Sequence, residues 1–303
     1  MLRGEIFYWV LNMSIAASIA GMFVLLLGKV KRLPRRFACG LWVIPFLRLW
    51  LPFGFASKYS VMGLLEKMAA RTVVVYDGVK SVTGMNYISG ADSYFPIVYK
   101  TQQLKMLFAA ASVVWAVTGL AILIAFGVMY HITKAEMKDA APFQDNIFIS
   151  EKITSPAVYG ILRPRIVLPK SYQGKNLELI LAHEKLHIRH KDNLWRILAF
   201  GTAAVHWFNP FVWIFLKSFL EGLELACDER VLAKCGESQR KAYALSLVEC
   251  AAHRNVFVSA FGGAKVRVRV EAILSYRKLT LFSAAALLLF AVALGCILLT
   301  NAG

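Results

Sequence analysis

Long uncharged runs constrain this chain more than anything else in it. Ile6–Gly28 runs 23 residues without a charge, Met106–Tyr130 runs 25, and Leu279–Thr300 runs 22. About 20 apolar residues in a helix are enough to cross the roughly 30 Å hydrocarbon core of a bilayer. Phe37–Ala56 reads as a further span, interrupted only by Arg48, whose long side chain would snorkel toward the outer interface. With 58% hydrophobic and 17% charged residues, the composition is that of a membrane protein. A cleavable signal peptide fits Ile6–Gly28 poorly. Its leading segment carries only Arg3, offset by Glu5, and the basic residues come after the run.

Charge then orients the spans. The net charge of +17 could indicate nucleic-acid binding, but the basic residues cluster beside apolar runs, which favours a membrane surface and no direct nucleic-acid partner. Lys29–Arg36 holds five cations in eight residues between two spans. By the positive-inside rule this loop is cytoplasmic, and both termini are outside. The expected organisation is a membrane region, 1–130, with spans at 6–28, 37–56 and 106–130 and an extracytoplasmic loop at 57–105. A cytoplasmic domain follows at 131–278, and a last span at 279–303. The cytoplasmic part carries 22 Lys and Arg against 14 Asp and Glu. The five cysteines have no spacing that suggests disulfides or a thiolate metal site.

Chemistry concentrates in the 131–278 segment. His183-Glu184-Lys185-Leu186-His187 is an H-E-x-x-H sequence in a stretch without Pro or Gly from Lys175 to Phe200. Residues four apart in a helix lie on one face, so His183 and His187 can address one ion. Neutral imidazoles suit Zn²⁺, and Glu184 is the candidate general base. A catalytic zinc keeps three protein ligands, so a third is sought downstream. Glu221–Glu229 reads as a second helix on which Glu224 and Asp228 are again four apart. One of this pair could bind metal while the other supports a ligand histidine from behind, with Asp228 the candidate support. Glu221 and Glu229 are rivals whose simpler reading is a solvated acidic face. Cys227 is a softer donor, set aside because it lies three residues from Glu224.

Two further stretches bear on this site. Val158–Pro169 alternates and β-branches like a strand pair near a turn, serving either as ordinary structure or as an edge that receives an extended substrate. Ile197–Leu216 is uncharged for 20 residues, yet if it crossed the membrane Glu224 could not share an ion with His183 and His187. Asn209-Pro210 sits past its middle, where Pro removes a backbone donor and biases Asn209 away from helix. A broken, re-entrant or interfacial hairpin over about 197–216 is therefore expected, with His206 only a weak candidate ligand.

Together, His183–His187, His206-Trp207-Phe208-Asn209-Pro210 and Glu224-Leu-Ala-Cys-Asp228-Glu229 resemble the BlaR/MecR-type membrane metallopeptidases. The resemblance implies His183, His187 and Glu224 as zinc ligands and Glu184 as catalytic base. It also implies a four-span helical membrane protein with a cytoplasmic α+β, zincin-like (gluzincin) protease domain. The implied activity is zinc-dependent endopeptidase signalling, as in regulation of antibiotic resistance, with cleavage of a transcriptional repressor or of the chain itself. In that family a penicillin-binding sensor domain follows the last span, and this chain stops there. Either a different sensor is used, such as the 57–105 loop or a separate partner, or the chain is a fragment; a homodimer is open. Ser238-Gln239-Arg240-Lys241 spells S-x-x-K but reads as accidental on the cytoplasmic side. Two other functions were weighed. A CAAX-processing or quality-control protease is less favoured because of the H-W-F-N-P stretch. A non-catalytic zinc-containing transducer would have no use for Glu184.

Overall fold

The computed structural model describes residues 2–30, 33–51, 56–61, 102–135, 137–170, 177–252, 264–276 and 280–302. The expected 57–105 loop lies mostly outside them. The chain is mostly helical: α1 (Leu2–Gly28), α2 (Arg35–Gly40), α3 (Val43–Trp50), α4 (Gln102–Ala135), α5 (Leu177–Arg189), α6 (Asp192–Val205), α7 (Pro210–Lys234), α8 (Glu237–Ala252), α9 (Val266–Leu274) and α10 (Leu281–Leu299). Among the described residues three helices are long and apolar enough to cross a membrane, at Ile6–Gly28, Leu107–Ala135 and Leu281–Leu299.

The stretch expected as the second span is not one helix. α2 and α3 meet at Leu41-Trp42, because Pro45 has no N–H to return to the Leu41 carbonyl, and Ile44 N donates to that carbonyl instead (3.1 Å). Arg48 does not snorkel. It is 1% exposed, and its Nε donates to Leu298 O (3.2 Å) and its Nη2 to Thr300 O (2.8 Å). The last carbonyls of a helix lack intrahelical partners, and the guanidinium supplies donors for the end of α10. A two-residue parallel pairing of β1 (Ala56–Ser57) with β6 (Asn301–Ala302) closes the same corner.

The 197–216 run is broken at residues 206–209, between α6 and α7. Asn209 caps α7 by accepting from Phe211 N (3.0 Å), with Pro210 at the first helical position, where its missing donor costs nothing. The same amide donates to Ser14 Oγ and Ser18 Oγ, both at 2.7 Å, and so fastens the break to α1. Gly21 lets α1 approach α7 closely, since a Cβ there would stand 2.2 Å from the Phe215 ring. Ala17, Ala20, Val24, Trp42, Phe215 and Phe219 form the core of this helical region.

A four-stranded mixed sheet lies before the H-E-x-x-H helix, in the order β2 (Ala141–Gln144), β3 (Ile147–Ser150), β5 (Arg165–Pro169), β4 (Ala157–Tyr159). β3 and β5 are parallel, and the outer pairs are antiparallel. The Val158–Pro169 stretch is thus the β4–β5 hairpin. Its turn starts at Gly160, whose φ of +89° suits glycine and whose absent Cβ would stand 2.9 Å from Arg163 O. Ile147, Ile166 and Leu168 are buried against Leu177, Leu181 and Ile188, which seats α5 on the sheet.

Candidate metal centre

α5 points both histidines of the motif inward: His183, Glu184 and His187 are all buried, Glu184 at 7% exposure. The two imidazole Nε2 atoms face each other at 3.0 Å. Each ring is oriented from behind. His187 Nδ1 lies 2.5 Å from Asp192 Oδ2, and His183 Nδ1 lies 2.8 Å from the Tyr243 hydroxyl. Tyr243 in turn donates to Asp228 Oδ1 (2.6 Å), itself 3.3 Å from His183 Nδ1. An Nδ1–H tautomer on each ring would satisfy these partners and leave both Nε2 lone pairs for a single metal ion.

The third group arrives from α7. Glu224 Oε2 is 3.7 Å from His183 Nε2, and Oε1 is 3.8 Å from His187 Nε2. Donors about 2.0–2.1 Å from a tetrahedral zinc are separated by about 3.3 Å; the Nε2 pair at 3.0 Å comes near that, while the two Glu224 oxygens stand somewhat farther out, each beside a different histidine. Cys227 is also at the site. Its donor atom and those of His183 and His187 all lie within 4.8 Å of one another. Positions three apart are also neighbours on a helix surface, so its three-residue spacing from Glu224 does not take it away from the site. Its thiol donates to the His183 carbonyl (3.4 Å).

Two arginines, absent from the sequence reading, complete the centre. Arg269, on α9, is 4% exposed and grips Asp228 with Nε to Oδ2 (2.7 Å) and Nη2 to Oδ1 (2.6 Å). Its Nη1 is 3.2 Å from Glu224 Oε2 and its Nη2 is 3.2 Å from His183 Nε2. Arg196, on α6, donates to Glu224 Oε1 at 2.5 Å. Burial alone would raise the Glu224 pKa. The His183 hydrogen bond and the Arg269, His187 and Arg196 charges outweigh burial and hold the carboxyl well below the usual range. Burial and the Asp228 charge push Tyr243 well above an ordinary phenol, so its hydroxyl stays a donor.

Asp192 and Tyr243 were legible only weakly. Asp192 follows His187 by five residues, past a turn where Lys191 adopts φ +55°, and Tyr243 comes from a different helix with no local motif to mark it. The rivals fall elsewhere. Glu229 is buried rather than solvated, accepting from Arg36 N (3.0 Å) and pairing with Arg36 Nε (3.2 Å), which ties it to the basic loop. Glu221 is half-buried and, like Glu224, lies outside the His183–His187–Cys227 group of the described residues. His206 is buried against the Leu49 carbonyl (3.1 Å), apart from the cluster. β4 is the edge strand nearest α5, but Asn193 Nδ2 already donates to Val158 O (3.1 Å) and Gly160 O (3.0 Å), so the chain itself takes up that edge.

Helices long and apolar enough to span a membrane, a small sheet and a buried His/Cys cluster with Glu224 beside it describe a membrane protein with a potential metal centre. Residues 8–273 match the BlaR1 peptidase M56 family, and the chain belongs to that family of BlaR/MecR-type regulatory peptidases. The regulatory protein BlaR1 of Bacillus licheniformis is 32% identical over 109 residues, covering 34% of this chain and 18% of the relative. The methicillin resistance mecR1 protein of Staphylococcus aureus is 29% identical over 108 residues, with the same coverage. BlaR1 of Staphylococcus aureus is 27% identical over 134 residues, 41% of this chain and 23% of the relative. The chain therefore spans about a fifth of the length of the curated relatives it matches.

Proposed function

We propose that this protein is an integral-membrane zinc endopeptidase with a regulatory role, acting on a cytoplasmic repressor, on itself, or on both. The observation that carries this reading is the convergence of two buried Nε2 atoms, each with its Nδ1 tied from behind, on a carboxylate from a second helix beside buried Glu184. In this reading His183, His187 and Glu224 hold the metal, and Glu184 is the base. Zinc bound there would polarise the scissile carbonyl and acidify a water.

The remaining chemistry belongs to the chain. Glu184 takes the proton of the attacking water and delivers it to the leaving amine. Asp192 and the Tyr243–Asp228 pair keep each imidazole in the tautomer that leaves Nε2 free. Arg196 and Arg269 keep the Glu224 carboxylate ionised and aimed at the histidines. We further propose four membrane spans, with α2–α3 and its proline break as the second, and a cytoplasmic zincin-like α+β domain at 131–278. The α6–α7 hairpin would then enter and leave from the cytoplasmic face, and both termini would lie outside. The relatives' names, methicillin resistance among them, support a place in antibiotic-resistance regulation. A buried Glu184 beside the histidines argues against a zinc-holding transducer without catalysis.

The test is zinc stoichiometry and self-cleavage measured together in detergent, for the parent and for Glu184→Ala. One zinc per chain in both, with cleavage in the parent only, is the expected result. Zinc in both with no cleavage of the chain or of a co-expressed repressor would refute the protease reading.

A further inference from the structure

We propose that the cleft between the end of α4 and the β4–β5 turn is a binding site for the headgroup of an anionic phospholipid. The cleft holds about 460 Å³, within the range of small-ligand sites, and is lined by Tyr130, Thr133 and Lys134 on one side and by Tyr159, Arg163 and Arg165 on the other. Three of these side chains are cations, and no carboxylate lines the cleft among the described residues. Guanidinium forks match phosphate oxygens in two-pronged fashion, while lysine supplies a compact point charge. The Thr133 hydroxyl and the tyrosines add the polar-tipped groups typical of a membrane interface.

What selects a lipid over another anion is where the cleft opens. One wall is the end of the Leu107–Ala135 span, whose apolar window is only 11% buried within the protein and so presents its flank to lipid. Val128, Met129 and Ile132 are exposed along this last stretch. The other wall ends in Ile161 and Leu162, next to the two arginines, and Leu162 is 94% exposed. An apolar turn tip flanked by arginines beside the end of a spanning helix fits a surface that is anionic above and apolar below. Arg165 is held in place over the Phe148 ring at 4.8 Å, and Gly160 fixes the turn, so the wall is built before a ligand arrives. An acidic peptide would satisfy the cations but leave the Leu162 tip and the α4 flank in water.

This site is independent of the proposed proteolysis. The test is native mass spectrometry of the full chain released from nanodiscs containing phosphatidylglycerol and phosphatidylcholine. The parent is compared with Lys134→Gln/Arg163→Gln/Arg165→Gln, with the milder Arg163→Gln and with Leu162→Ser. Unchanged melting temperature and metal content check that each variant is folded. The parent is expected to retain phosphatidylglycerol in preference to phosphatidylcholine. The triple variant should lose that retention by about a hundredfold, and Arg163→Gln by about fivefold. Leu162→Ser should also weaken it. Equal retention of both lipids, or an unaltered folded triple variant, would overturn the proposal. So would full displacement by glycerol phosphate, which would assign a free-phosphate site, or by an acidic peptide, which would assign a peptide groove.

Discussion

Arg269→Met is the substitution that tests the centre most severely. The methionine keeps much of the side-chain volume and removes the charge. Asp228, 1% exposed, then loses two charge-assisted hydrogen bonds of 2.6 and 2.7 Å, and Glu224 loses a cation at 3.2 Å. Removing one partner of a buried ion pair typically costs about 3–5 kcal/mol, because the other charge stays buried without compensation. Arg196 still neutralises Glu224, so the lower half of that range is expected, about 3–4 kcal/mol. For a chain of this size that corresponds to a fall of about 5–6 °C in melting temperature. The assay is thermal unfolding in detergent, followed by intrinsic fluorescence and by zinc retention against a competing chelator. Adding Asp228→Asn removes the stranded charge and should recover about half of the loss, a coupling that a double-mutant cycle isolates. If Arg269→Met melts within about 2 °C of the parent, the charge network is not what holds α9 and α7 together, and the reasoning fails.

Four other predictions follow from the same geometry. Glu224→Ala should abolish stoichiometric zinc binding while Cys227→Ala leaves it intact; the reverse result, measured by metal analysis after gel filtration, would make the thiol the third ligand. Asp192→Asn keeps the shape of the His187 partner but not its charge, and should weaken zinc affinity by about 10–100-fold in chelator competition. Tyr243→Phe removes the hydroxyl bonded to both His183 Nδ1 and Asp228 Oδ1, while Oδ1 keeps its Arg269 bond, and should cost about 1–3 kcal/mol by thermal unfolding. Stripping the metal with a chelator should stop cleavage, and stoichiometric Zn²⁺ should restore it within the same preparation.

What the sequence made legible is what repeats at short range. His183 and His187 are one turn apart, Glu224 and Asp228 are one turn apart, and helix periodicity alone puts each pair on one face. The break at Asn209-Pro210 was legible for a similar reason, since a proline and a capping side chain act on their own neighbours. Arg48 and Glu229 misled because each reads as a solvent-seeking charge on its own segment. Their partners, the α10 carbonyls and Arg36, are about 250 and 193 positions away.

Arg269 shows the same limit inside the centre. Val266–Leu274 alternates valine with arginine, and nothing local distinguishes Arg269 from Arg267 two residues earlier. Arg267 is exposed and pairs with Glu271 on its own helix, whereas Arg269 is buried against carboxylates from α7. The difference comes from packing. α9 lies against α7 and α8, with Ile273 buried beside Val231, Leu232 and Tyr243, and this contact turns one of the two arginines inward. Asp228 follows the same logic. Its spacing marked it as a support for a histidine, but the hydroxyl that stands between them comes from α8, 15 residues further on. A carboxylate buried beside an imidazole would remain short of donors there. Tyr243 and Arg269 supply three hydrogen bonds to its two oxygens, and so allow a buried Asp228 to sit 3.3 Å from the His183 ring.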